Sequence, residues 1–184
     1  MSNTTYTSRT FKPAAEQGKA AVTLPATGPQ INLSDPSTYN DATSVTVYDA
    51  KGQDVAVTYY FQKSATDTWN VYATANGTSV NTDASGNPLP VTTLTFAANG
   101  GSITSPTGPI TMNIPSTTNA AGATTLAMSN ITLDLVSATQ FGSNFGVTSM
   151  TQDGYAAGQL TGVPIDKTGI VTANYSNGQS KAAG

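Results

Sequence analysis

Along most of the chain, apolar and polar residues alternate with a period of two rather than at the roughly 3.6-residue spacing of an amphipathic helix, the pattern of strands that turn one face to a core. In "SVTVYD" Val45 and Val47 alternate with Thr46 and Tyr48, and in "VAVTYYFQ" Val55, Val57, Tyr59 and Phe61 share a face. Between them "DAKGQD" is a glycine-containing turn of hairpin length. "TWNVYATA" puts Trp69, Val71 and Ala73 on one face, and "KSATDT" supplies the connection to it. Residues 44–75 are therefore predicted to form a three-stranded meander.

The turn-rich "NGTSVNTDASGNP" separates the meander from a strand in "LPVTTLTF", a turn at "AANGG", and extended pieces in "PITMNIP" and "SNITLDLV". In the last of these Ile131, Leu133 and Leu135 face one way. Ten prolines spread through connections and strand margins oppose long helices, so helix is expected at most as a short turn near Thr139 to Ser143. Further on, "FGVTSM" reads as a strand, "TQDGYAAGQLTG" as an extended loop and "VPIDKTGIVTANYSNGQ" as a hairpin turning at Asp166 to Gly169. Before the meander the pattern is loose, with a strand around Ala20 to Leu24 and then a linker through "PATGPQINLSDPSTYND". The expected fold is all-β: an antiparallel sandwich or barrel with part of a second β-rich domain.

Composition narrows the function more than the fold. Charged residues are 9% of the chain, against roughly 25% in an average soluble protein. A net charge of −3, with the seven basic residues scattered, argues against a nucleic-acid partner, which needs clustered Lys and Arg to displace counterions from phosphates. No apolar run is long enough to span a membrane as a helix. With no histidine and no cysteine, Ser-His-Asp, Cys-His and histidine- or cysteine-ligated zinc chemistries are excluded, and no disulfide framework is possible.

Carboxylates are what remain. A two-acid glycosidase would draw on Glu16, Asp35, Asp41, Asp49, Asp54, Asp67, Asp83, Asp134, Asp153 and Asp166. Most of these fall in turns, where Asp bonds its own backbone. Asp134 is the exception, set within "ITLDLV" and expected to face solvent opposite Leu133 and Leu135. "NTDASGNP" opens like a calcium loop but has Thr92 where the closing acid should stand. A Lys–Asn isopeptide at Lys51 or Lys63 would need Asp134 beside it, and the sequons at Asn76, Asn130 and Asn174 are what chance yields in so Thr-rich a chain. Of the aromatic residues, Trp69 is expected in the core, with Tyr60 and Tyr72 as the exposed pair. No catalytic, cofactor-binding or metal-binding residue is assigned, and no enzyme is expected.

Taken in order, "SVTVYDAKGQ", "VTYYFQK", "TWNVYA", "LTF", "FGVTSMTQDGYAAGQLTG" and "IDKTGIVTANYSNGQ" resemble the bacterial flagellar hook protein family, over Thr38 to Gln179. The resemblance implies a structural subunit of the hook, the curved extracellular tube that acts as a universal joint between motor and filament, delivered by type III export without a cleaved signal. It implies self-assembly with identical subunits, and the hook cap and hook–filament junction proteins as further partners. The outer β domain would be residues 20–140 and the returning segment of the middle β domain residues 141–184, with residues 1–19 unplaced. The family's terminal helices have no counterpart in the sequence, so the isolated chain is expected to be monomeric. The loop from Gln152 to Leu160 is the expected domain or subunit interface, through Gln152, Asp153, Tyr155 and Leu160. The alternative is an extracellular adhesin or carbohydrate-binding β-sandwich.

Overall fold

A computed structural model of the chain describes residues 8–16, 20–23, 30–98, 101–141, 145–165, 167 and 169–182. The first strand, β1 (Ser8–Glu16), is followed by one 3-10 turn at Pro36–Thr38 and then by the predicted meander, β2 (Asp41–Tyr48), β3 (Asp54–Ala65) and β4 (Thr68–Ala75). A two-residue strand β5 (Thr78–Ser79) leads to β6 (Thr92–Phe96), β7 (Gly101–Ser105), β8 (Ile110–Ile114), β9 (Met128–Asp134), β10 (Thr139–Phe141) and β11 (Gly146–Met150). Three short strands, β12 (Leu160–Gly162), β13 (Thr172–Tyr175) and β14 (Ser180–Ala182), complete the fold.

Eleven strands form one curled, half-barrel sheet in the order β2-β3-β4-β6-β7-β10-β1-β9-β8, with β11 on β1 and β5 on β4. The last three form a separate antiparallel sheet. Pairing in the large sheet is antiparallel except around β1, which runs parallel to both β9 and β10. The architecture is thus the expected all-β one.

Alternation decides the interior. Val55, Val57, Tyr59 and Phe61 of β3 are buried, as are Trp69, Val71 and Ala73 of β4. They pack against Leu94 and Phe96 of β6, Ile114 of β8, and Ile131, Leu133 and Leu135, in one continuous core. β9 keeps its predicted face.

Several expectations are corrected. "KSATDT" is mostly strand: β3 runs on through Ala65, and the reversal is a tight turn at Thr66–Asp67, with Asp67 at φ 54°, a left-handed conformation that Asp tolerates. Of the residues expected as a helical turn, Thr139–Phe141 form β10, because Thr139 and Gln140 pair with Ser102 and Gly101 of β7, while Gly142 and Ser143 lie outside the described residues. Among the described residues the one 3-10 turn instead follows Asp35, whose carboxylate caps it by accepting from the Ser37 N–H at 2.9 Å. Residues 20–23 are not strand. Val22 does bond the Lys63 carbonyl, and Leu24 lies outside the described residues. The hairpin expected to turn at Asp166–Gly169 is spanned by an Ile165–Val171 bridge, while Asp166 and Thr168 themselves are not described.

The supposed linker is a cover. Tyr72, Thr74 and Ala75 are buried together with Val71 and Ala73, so β4 has no exposed face over these residues. At Tyr72 the second face lies under residues 30–40: Gln62 of β3 donates to the carbonyls of Gln30 at 2.8 Å and Thr38 at 2.7 Å, and Ile31 is 2% exposed. Tyr72 donates to Gln62 Oε1 at 3.2 Å. Tyr72 is therefore not half of an exposed pair, and burial raises its phenol above the usual range.

Candidate functional site

Among the described residues, Asp35, Asp49, Asp54, Asp67, Asp83 and Asp134 are committed to turns and cross-links. Asp49 is 3% exposed; its Oδ1 accepts from the backbone N–H groups of Lys51 at 2.8 Å and Gln53 at 2.9 Å, and its Oδ2 from Leu126 N–H at 2.6 Å. One side chain thereby closes the β2–β3 hairpin and fastens it to the segment before β9. Asp54 accepts from the Asn119 amide at 2.7 Å, and Asp67 from the Gln140 amide at 2.7 Å. Gln140 is fully buried and its Oε1 accepts the Trp69 indole N–H at 2.9 Å, so an amide joins the central ring to a turn carboxylate. Burying Trp69 satisfies its one polar atom as well as its ring.

Asp83, in the stretch that opens like a calcium loop, accepts from the Asn87 amide and from the Asn87 and Ser85 N–H groups; those bonds, the Asn87 side chain's foremost, hold it below the ordinary carboxylate range. Asp134 is half-buried and accepts from Val136 N–H at 2.9 Å, the local turn pattern. Lys63 is buried with its ammonium 5.8 Å from the centre of the Trp69 ring. Asn76, in one of the sequons, uses its amide to bond Ala56 N–H and the Thr117 hydroxyl.

On the outer face of β3 and β4 a shallow depression of about 330 Å³ is lined by Thr58, Tyr60, Thr74, Asn76 and Asn119, among others. Tyr60 is the one aromatic in that lining, and its ring stands edge-on to Tyr39 at 4.9 Å.

The loop singled out from sequence connects β11 to β12. Gln152 and Asp153 are exposed, Tyr155 is 54% exposed, and Leu160, which opens β12, is 56% exposed. The four residues share a segment rather than a cleft. Between them lie contacts that sequence reasoning missed. Ala157 rests on Gly52, in the β2–β3 turn, so closely that a Cβ on Gly52 would stand 2.5 Å from Ala157 N. Gly158 sits against Asn177, whose amide donates to the Ala156 carbonyl at 2.8 Å. The apolar exposure continues past the loop through Val163, Ile165 and Ile170. "SNGQ" carried the overlooked signal: an Asn-Gly pair after a strand is a hairpin turn, and its hairpin with β14 is what presents Asn177.

A family model described as the flagellar basal body protein FlaE D2 domain matches residues 15–155. The flagellar hook protein FlgE of Escherichia coli (strain K12) is 32% identical over 162 residues, covering 88% of this chain and 37% of that protein. The corresponding protein of Salmonella typhimurium is 33% identical over 154 residues, covering 83% and 36%. The chain thus spans little more than a third of the length of these curated relatives. A crystal structure of the Helicobacter pylori flagellar hook protein FlgE2 aligns with a TM-score of 0.42 at 19% identity, over 77% of this chain and 31% of that one.

Proposed function

The chain belongs to the flagellar basal body protein FlaE D2 domain family, and from that membership we propose that it serves as the β-rich part of a flagellar hook subunit, working outside the cell by self-assembly with identical copies rather than by catalysis. The observation that carries this reading is the family match over residues 15–155. The surface suits the role: a chain with 9% charged residues meets its neighbours chiefly through hydroxyls, amides and bridging water. Such contacts exchange partners at low cost while the subunits slide, where strong ion pairs would have to be broken.

Within that reading residues 20–140 act as the outer domain and residues 141–184 as the returning part of the middle one. Gln152, Asp153, Tyr155 and Leu160 serve as contacts, with the exposure of Tyr155 and Leu160 in their support. Hook cap and junction proteins are the further partners of the assembled tube, and the isolated chain is a monomer.

A chimera tests the proposal. This chain replaces the matching residues of the Escherichia coli hook protein, and cells are examined for curved tubes by electron microscopy. Tubes are the expected result. A stable, exported chimera that yields none refutes the assignment. In the same background, Tyr155→Ala with Leu160→Ala should impair assembly while changing the stability of the fold by less than about 0.5 kcal/mol each, and normal motility would remove this loop from the interface.

A further inference from the structure

The two sheets meet where two glycines leave no spare room. Gly52 has φ 75°, and a Cβ there would stand 2.5 Å from Ala157 N and 2.6 Å from Ala157 Cβ. Both values are closer than real Cβ contacts come. On the opposite flank a Cβ on Gly158 would stand 2.6 Å from Asn177 Cγ and Oδ1. Asn177 donates to the Ala156 carbonyl at 2.8 Å while its Oδ1 accepts from Gln179 N–H at 3.1 Å, so the side chain is held at both ends. Gln159 N–H donates to Ser176 Oγ at 2.9 Å, and Ser176 N–H returns a bond to the Gln159 carbonyl at 2.8 Å. The turn that offers Gly52 is itself fastened by buried Asp49 to the segment before β9.

Residues 156–159 are therefore gripped from two sides, by the β2–β3 turn of the large sheet and the β13–β14 turn of the small one. We propose that Gly52, residues 156–159 and Asn177 form a latch that fixes the angle between the two sheets, so that they move as one body rather than about a free hinge. Close-packed contacts have discrete arrangements and do not deform continuously, so a joint built this way holds one angle until it is released. The inference concerns the isolated chain and does not rest on the hook reading.

The absence of cysteine makes the test direct. Thr46→Cys on β2 and Lys181→Cys on β14, both exposed positions, accept nitroxide labels whose separation is read by pulsed electron spin resonance. The parent chain should give one narrow distance distribution. Gly158→Ala should shift and broaden it by displacing Asn177, and Gly158 lies outside the left-handed region, so the substitution strains no backbone of its own. Gly52→Ala should do the same from the other flank, with circular dichroism melts to establish that each variant is folded. A broad distribution in the parent, or one unchanged in folded Gly158→Ala, overturns the latch.

Discussion

The large sheet and the small one are made from similar residues and treat them in opposite ways. In the large sheet apolar side chains alternate inward and disappear: Trp69, Leu94, Ile131 and Leu133 are each 1% exposed. In the β12–β14 region Ala173 is the one buried hydrophobic residue among those described, while Leu160, Val163, Ile165 and Ile170 stand between 48% and 67% exposed. Three strands of three or four residues enclose too little apolar surface to offset the cost of ordering them. Its order comes from the turn contacts described above as much as from its own ladder. Apolar content alone therefore does not make a core; register against a second layer does.

Four experiments sharpen the contrast. The largest effect is expected from Trp69→Ala, which empties the centre of the large sheet and strands the Gln140 amide, costing about 3–5 kcal/mol in denaturant unfolding. Asp49→Ala removes the shared acceptor of three backbone N–H groups and should cost about 2–3 kcal/mol in the same measurement, with hydrogen exchange rising at Lys51, Gln53 and Leu126. Between β12 and β13 of the small sheet, Ile165→Ser, at 67% exposure, should change stability by less than about 0.5 kcal/mol. An effect as large as that of Trp69→Ala would show that the small sheet has a core after all.

The smallest effect is a pH response. Asp83 is held below the ordinary carboxylate range by its bonds to Asn87 and Ser85. Its contribution is thus present above that range and lost as pH falls through the folded value. Asn87 and Ser85 amide shifts followed by NMR should move only below the ordinary carboxylate range, and Asp83→Asn should abolish the change.

Sequence made the meander legible because Val55, Val57, Tyr59 and Phe61 need a single buried face, which is what a period-two pattern encodes. It hid whatever depends on distant partners. β1 contains Pro13 and three charged residues, Arg9, Lys12 and Glu16, and shows no alternation; its strand character comes from the neighbours it pairs with. β10 was open to a helical reading because Thr139, Gln140 and Phe141 carry no local preference that outweighs pairing with β7. Tyr72 was misjudged because residues 30–40 cover a face that alternation assigns to solvent. Gln62 and Gln140 offered no signal, since a buried glutamine differs from an exposed one only in its partners. At the candidate site, the exposure of Tyr155 and Leu160 was legible from their place in a turn-rich loop. The fit of Ala157 against Gly52 was not, because no property of either residue names the other.

The position of β1 has a temporal consequence. Ser8 pairs with Thr132 and Phe11 with Met150, so β1 waits for partners that lie far along the sequence. A sheet knitted across such separations closes slowly, since loop entropy is lost before the contacts return it. The large sheet should thus stay open until β9 and β11 have been made, and then close in one cooperative step.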